Sequence, residues 1–349
     1  MKDLQQGRAA DPAQGRIAGT GEKMLSGYGN WKIKYVEEDG GILLLRAVTC
    51  DRDAVLPAEI GGVPVTGIWN YAMGPKDHTG KEEGTWIELE GAGGDGEKKW
   101  SNAGIRSLTL PESVRFIGEY AFHGMYDLEK LELFDVPVTW CAEACQNWFS
   151  LHEIIIRSWQ GGQGNLAYLC EHFSAELDVR IFWEDGRTAR LLFPEYLEVV
   201  TENTPARQFV TNTEGFGYPY HHLFRGGQLS FGLYDGEWEY ALSHEAEDPE
   251  GLLTLAWYRL YWPEGLQDRF REGYQKYVSK NRMKLLDRLI REDAPGQLEK
   301  MLKLVPAERA ELDRGCETAR TLRRTACLAV LMQQIRGLVP AGRKKNFDL

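Results

Sequence analysis

A pair of cysteines with a histidine close behind could do chemistry in this 349-residue chain. Cys141 and Cys145 lie four residues apart and His152 follows them, and thiolate and imidazole groups can bind a metal or form a thiol nucleophile with its base. Both cysteines also fall on apolar columns of a 23-residue repeat, where a free cysteine behaves as a small apolar residue. We therefore interpret them as packing residues and predict no metal site.

Three other segments match binding or catalytic motifs only in part. The run from Gly91 to Gly96 fits G-x-G-x-x-G, but no helical pattern follows to hold a phosphate, so it predicts a loop. His221 and His222 are adjacent, so their side chains diverge and make a poor metal site. His244-Glu245 lacks the second histidine of a zincin helix.

We predict a protein that is not an enzyme and has no cofactor. The alternative is an enzyme with a site at the domain junction, among Tyr218, His221, His222 and Asp235.

A 23-residue period organises the chain between about residues 105 and 183. Three apolar columns share it: Leu108, Leu131, Ile154 and Leu177; Ala121, Ala144 and Ala167; Leu128 and Leu151. Each unit contains a short Leu-x-Leu strand, a turn and a segment of small residues. One unit has no core of its own and can bury its apolar edge only against its neighbours, so the period predicts a solenoid.

One unit carries a family resemblance. A strand ending in Leu110-Pro111 is followed by Ile117-Gly118 and then Tyr120-Ala121-Phe122, and an earlier copy runs from Val55 to Met73. This pairing resembles the BspA-type leucine-rich repeat, over about residues 33–183. The resemblance implies a curved parallel β-solenoid in a bacterial binding protein, often at the cell surface. The first 29 residues are polar and lack the apolar run of an export signal, which argues against a role at the cell surface.

The remaining segments differ from the repeat in composition. An insertion at 74–104 holds one strand-like piece, Thr85 to Leu89, and is expected to form a hairpin on the solenoid surface. Helical spacing of apolar residues begins at Pro249. We predict an α+β fold: a short leucine-rich-repeat β-solenoid, an irregular aromatic cap and a C-terminal α-helical repeat-like module. The expected segments are a flexible 1–30, a solenoid at 31–183, a connector or cap at 184–248, a helical module at 249–340 and a basic tail at 341–349.

The helical module contains a second, weaker repeat. An offset of 30 residues places Leu286 on Cys316, Leu289 on Ala319, Leu298 on Leu328 and Met301 on Leu331. The pattern predicts two paired helical hairpins, loosely similar to ankyrin repeats but without their Thr-Pro-Leu-His turn.

The charge balance restricts the class of partner. The chain has 41 Lys and Arg against 52 Asp and Glu, a net charge of −11, which argues against nucleic acid and anionic membranes as partners. Residues 264–349 carry +7 and residues 1–263 carry −18. Six sparse cysteines and the lack of a long apolar run are typical of a cytoplasmic protein.

Strand alternation predicts which side chains leave the solenoid core. Of ten outward positions, five are acidic and one is basic, so we expect a docking face for a basic protein partner. Its predicted residues are Lys130, Glu132, Glu153, Ile155, Glu176 and Asp178. We expect a protein–protein interaction adaptor or scaffold that uses this face and the helical module. Two alternatives stay open: an ordinary solvated surface, or a self-associated, autoinhibited protein whose basic C-terminal helices occupy the acidic face.

Overall fold

The computed structural model describes residues 29–75, 83–91, 99–203 and 208–338. The predicted flexible N-terminus up to residue 28, residues 92–98 of the glycine loop and the basic tail lie outside these ranges. The strands are β1 (Trp31–Glu38), β2 (Gly41–Thr49), β3 (Asp53–Val55), β4 (Glu59–Ile60), β5 (Val63–Ile68), β6 (Thr85–Leu89), β7 (Ser107–Thr109), β8 (Phe116–Ile117), β9 (Lys130–Phe134), β10 (Thr139–Trp140), β11 (Glu153–Arg157), β12 (Leu177–Phe182), β13 (Thr188–Phe193), β14 (Leu197–Asn203) and β15 (Gln208–Glu214). The helices are α1 (Asn165–His172), α2 (Tyr218–His221), α3 (Phe231–Gly236), α4 (Trp238–Ser243), α5 (Pro249–Tyr261), α6 (Asp268–Lys280), α7 (Arg282–Arg291), α8 (Pro295–Leu304), α9 (Arg309–Thr321) and α10 (Thr325–Leu338).

The described residues form two compact units, 29–270 and 271–338. In the first unit, β3, β7, β9, β11 and β12 pair in parallel in chain order, and β13 adds an antiparallel edge strand. A second sheet joins β2, β5, β8 and β10 in parallel, with β1 and β6 added antiparallel. The predicted β-solenoid is therefore confirmed, with about five turns.

The solenoid core follows the predicted columns. Leu108, Leu131 and Ile154 are each 0% exposed and lie side by side in register. The repeat extends to the backbone of the turns, because Tyr71, Tyr120 and Glu143 all adopt positive φ angles, of 56°, 54° and 55°. Such angles are uncommon for residues other than glycine. Three equivalent positions with the same conformation show that one turn geometry is copied along the stack.

The last strand departs from the 23-residue register. Ile154 of β11 pairs with Val179 of β12, two residues beyond the predicted Leu177. The eight-residue helix α1 lies between these strands and lengthens the connection. The outward pair on β12 is therefore Asp178 and Arg180, and Glu176, expected on that strand, precedes it.

The insertion and the cap contain more regular structure than the pattern predicted. Thr85–Leu89 is a strand, as expected, but it pairs with β1 rather than forming a separate hairpin. The connector at 184–248 holds β13, the β14–β15 hairpin and the short helices α2 to α4. The reading of this segment as irregular was wrong, because each element is too short to establish a period. Helix α5 packs on β13, so the first unit continues beyond Pro249 to Phe270.

The second unit shows the 30-residue repeat as two helical hairpins, α7–α8 and α9–α10. Asp293 and Arg323, 30 residues apart, end the first helix of each hairpin with φ angles of 55° and 58°. The amide after each returns to an equivalent carbonyl, Ala294 N to Leu289 O at 3.0 Å and Arg324 N to Ala319 O at 2.8 Å. These left-handed helix ends confirm a helical repeat-like module within an α+β fold. Within the described ranges, no helix combines the length and apolar character needed to cross a membrane.

Candidate partner-binding face

The predicted docking residues lie on the outward side of the main parallel sheet, which we call the outer sheet face. It consists of the outward side chains of β3, β7, β9, β11, β12 and β13: Asp53, Val55, Ser107, Thr109, Lys130, Glu132, Glu153, Ile155, Arg157, Asp178, Arg180 and Arg190, together with the uncharged Phe134, Phe182, Thr188 and Leu192. Because parallel strands here stack in register, these side chains form rows across the sheet. The structure thus brings together five of the six predicted residues and leaves out Glu176.

Each carboxylate in the centre of the outer sheet face is paired with an arginine. The Nε of Arg157 donates a hydrogen bond to Oε1 of Glu132, and the Glu132 side chain is 14% exposed. The Nη1 of Arg180 lies 3.7 Å from Oε1 of Glu153, with side chains 27% and 22% exposed. These partly buried pairs fix the long side chains in place, since both partners are flanked by neighbouring strands.

The same pattern continues at the β12–β13 edge. The Nε of Arg190 donates to Oδ1 of Asp178 at 2.7 Å, and its Nη2 bonds to the other oxygen. Helix α5 adds the hydroxyl of Tyr258, which donates to Oδ2 of Asp178 at 2.9 Å. The rings of Tyr258 and Trp262 lie 4.3 and 5.6 Å from the Arg190 guanidinium carbon. This end of the outer sheet face is therefore covered by the chain itself.

The expectation of a predominantly acidic face was wrong. Three of its four carboxylates, those of Glu132, Glu153 and Asp178, are matched by arginines of the same sheet. The face instead carries acidic and basic side chains in equal number, four of each among the residues named above. Such a pattern fits a partner with complementary charges of both signs better than a uniformly basic one.

Two positions on this face differ in accessibility from what alternation predicted. Ile155 points outward but is only 5% exposed. It lies in register between Glu132 and Arg180, whose ion-paired side chains flank it with their methylene stems. The Nε of Arg180 is buried and has no hydrogen-bond partner. The covered Ile155 thus lies beside a buried N–H donor.

The arginines and the α5 aromatics are functional candidates that the sequence reasoning missed. Arg157 and Arg180 could have been found by continuing the alternation one step further along each strand, from Ile155 to Arg157 and from Asp178 to Arg180. Arg190 required the antiparallel pairing of β12 with β13, which places it opposite Arg180. Tyr258 lies 80 residues from Asp178 along the chain, and no sequence pattern links the two.

The cysteine pair is not assembled into a nucleophile with its base. Cys145 is 5% exposed, and burial raises the pKa of its thiol. Cys141, expected in the interior, is half-buried, and burial together with the Glu119 carboxylate raises its thiol pKa. The ring of the exposed His152 contacts Ser150 O at 2.8 Å. Within the ranges that the structure describes, no group of three or more His, Cys, Asp and Glu residues could hold a metal ion.

The four residues of the possible enzyme site differ in burial and in hydrogen-bond partners. His221 is 0% exposed, with Nδ1 3.1 Å from Cys170 O and Nε2 3.0 Å from Pro194 O. Asp235 is 0% exposed and is bound by both Nε and Nη2 of Arg259. Tyr218 and His222 are exposed and stack on each other with ring centroids 4.2 Å apart. His221 and Asp235 thus hold structural partners in the interior, and the ring of Tyr196 contacts His221 as well as the exposed pair.

His221 makes the stability of the first unit dependent on pH. Burial lowers the pKa of its ring, against the opposing effect of the nearby carbonyls. The unfolded chain binds a proton here near the ordinary histidine pKa, at which the folded ring stays neutral. Stability should therefore be lost as the pH falls below about 6.5 toward the lowered pKa. We expect a lower urea midpoint at acidic than at neutral pH, and a smaller difference in His221→Gln; equal differences in both proteins would contradict this.

No family model matches this chain, and no curated protein or solved structure matches it either.

Proposed function

We propose that this protein is a protein–protein interaction adaptor without catalytic chemistry of its own, and that the outer sheet face is its docking surface. One observation carries the proposal: two ion pairs, Arg157 with Glu132 and Arg180 with Glu153, hold charged side chains in place at the centre of the outer sheet face, and both arginines are still partly exposed. Arginine is enriched at the centres of protein interfaces.

The proposal includes a BspA-type leucine-rich-repeat identity for the solenoid. It is supported by the Leu-x-Leu strands and by the Ile-Gly-x-Tyr-Ala-Phe segment that follows them. Tyr120 of that segment and the equivalent Tyr71 share a left-handed backbone and stack with ring centroids 4.9 Å apart. Solenoids of this kind present an open sheet as an extended binding surface.

A charge exchange within one ion pair tests the docking surface. The double variant Glu132→Arg with Arg157→Glu keeps the ion pair but exchanges the positions of its positive and negative charges. We expect partner affinity to fall about ten-fold or more, because like charges then face each other across the interface. The measurement is affinity purification from cells that produce the protein, with quantitative mass spectrometry of the recovered proteins.

A matched control exchanges an exposed pair on α9, in Arg309→Asp with Asp313→Arg. Proteins recovered with the wild type and with the α9 control, but lost with the sheet variant, would support the proposal. Recovery of the same proteins with all three forms would remove the outer sheet face from consideration.

A second candidate is the self-associated form, in which the chain occupies its own face. It is favoured by the contact of Tyr258 with Asp178, since α5 already covers the β12–β13 edge. The same experiment separates the two candidates. If other parts of the chain occupy the face, the exchange at Glu132 and Arg157 should release them and increase, rather than reduce, the recovery of other proteins.

A further inference from the structure

Helix α10 carries an apolar stripe that its repeat equivalent buries. The 30-residue offset places Leu328, Met332 and Ile335 on Leu298, Leu302 and Val305 of the first hairpin. The first-hairpin residues are 0%, 1% and 4% exposed, and α8 contacts α7 and α10. In α10, Met332 is 39% exposed, and Leu328 and Ile335 are half-buried. The spacing of four and then three residues places all three on one side of the helix.

The stripe is therefore apolar at positions that are less covered than their equivalents in the first hairpin. The terminal units of repeat proteins ordinarily have a polar outer face. Helix α9 follows this rule at one position, because the fully buried Ile290 of α7 corresponds to the exposed Arg320. A third helical hairpin would meet polar α9 as well as apolar α10. A single helix laid along α10 would meet the apolar stripe alone.

The composition of α10 suits a second copy of itself as that helix. Arg336 is its one charged residue between Thr325 and Leu338, so no carboxylate opposes close approach. In an antiparallel pair centred between Leu328 and Ile335, the two copies of Arg336 lie roughly 14 Å apart along the axis. That separation exceeds the screening length of physiological salt, and Arg324 of the other copy, which comes closer to Arg336 in this arrangement, is paired with Asp293 at 3.8 Å. The exposed Ala329 beside the stripe lets two helix backbones come close.

We propose that the protein forms a two-fold symmetric dimer through the apolar stripe of α10, defined by Leu328, Met332 and Ile335. The stripe then packs against its own copy, as expected for an isologous interface. This inference is independent of the adaptor function proposed above. If both hold, the dimer presents two outer sheet faces and strengthens binding to a multivalent partner.

The test is sedimentation velocity of the full chain over a broad micromolar concentration range. The wild type should shift from monomer to dimer as concentration rises. Met332→Glu should weaken the dimer about ten-fold or more, because it places two carboxylates next to the symmetry axis. Ala310→Glu adds the same charge at an exposed position of α9 and should leave the dimer unchanged. Circular dichroism checks that both variants keep their helical content.

Charge rescue tests the symmetry of the contact. Mixing Met332→Glu chains with Met332→Lys chains should restore a dimer that neither variant forms alone, since opposite charges then meet at the axis. A wild type that stays monomeric at every concentration overturns the proposal. So does a dimer that survives Met332→Glu, or a mixture of the two charged variants that fails to associate.

Discussion

Replacing Asp235 by alanine is expected to lower the free energy of unfolding of the first unit by about 3–5 kcal/mol. Asp235 and Arg259 are both 0% exposed and form a two-bonded ion pair, with distances of 2.7 Å and 2.9 Å. Arg259 also donates to the carbonyls of Trp262 and Glu264, and its guanidinium lies over the Phe231 ring. Removing the carboxylate leaves a buried cation without its counter-charge, which costs more than the pair contributes.

Tryptophan fluorescence during urea unfolding measures this effect in the first unit alone. All eleven tryptophans lie between Trp31 and Trp262. Glu129→Ala is the control, because it breaks the exposed pair with Arg106 and should change stability by less than about 1 kcal/mol. A loss as small as this in Asp235→Ala would mean that Arg259 is hydrated in the folded protein.

A double variant separates the pair's contribution from the penalty of breaking it. In Asp235→Leu with Arg259→Met both charges are replaced by apolar side chains of similar length. We expect this variant to be more stable than Asp235→Ala, because no uncompensated charge stays in the interior. A double variant as unstable as the single one would show that the ion pair itself, rather than an orphaned cation, determines the stability.

The solenoid could be predicted from sequence because stacking forces the same residue type to recur at one spacing. Leu108, Leu131 and Ile154 kept that spacing and occupy one buried column. The prediction failed at Leu177, because the helix α1 takes up two more residues than a turn and moves Val179 into the column. A period detects strands that share one connection length and misplaces the strand after a longer connection.

The candidate site was predictable in position but not in charge. Alternation identifies outward side chains within one strand, and it correctly assigned Glu132 and Glu153 to the outer sheet face. Their arginine partners come from neighbouring strands, so the pairing depends on register, which one strand does not encode. Tyr258 covers Asp178 because α5 packs on β13. The spacing of apolar residues predicts the helix but not the strand on which it packs.

The helical hairpins were predictable for a different reason. The offset of 30 links side chains, and it also links Asp293 with Arg323, whose left-handed conformations end α7 and α9. Neither residue is a glycine, the usual signal for such a helix end. The repeat therefore located the turns indirectly, from the buried columns on either side of them. A search for glycine at the helix ends would have missed both turns.

Replacing Asp135 by alanine is the second change expected to have a large effect, about 2–4 kcal/mol. This carboxylate is 2% exposed and accepts three backbone N–H bonds, from Gln160 at 2.7 Å, Gly162 at 3.0 Å and Gln163 at 2.8 Å. Gly161, Gly162 and Gly164 have positive φ angles, so the loop wraps around Asp135 in a backbone shape that only glycine adopts readily.

Amide hydrogen exchange measures the effect of the substitution at the loop that Asp135 holds. In Asp135→Ala the amides of Gln160, Gly162 and Gln163 lose their acceptor, and their exchange should accelerate by about a hundred-fold or more at pH 7. Asp135→Asn keeps one acceptor oxygen and should give an intermediate rate, whereas Glu129→Ala should leave these amides protected. Unchanged protection in Asp135→Ala would show that another group orders the loop. Because this loop leads directly into α1, its acceleration should spread to the first turn of that helix before the strands on either side lose protection.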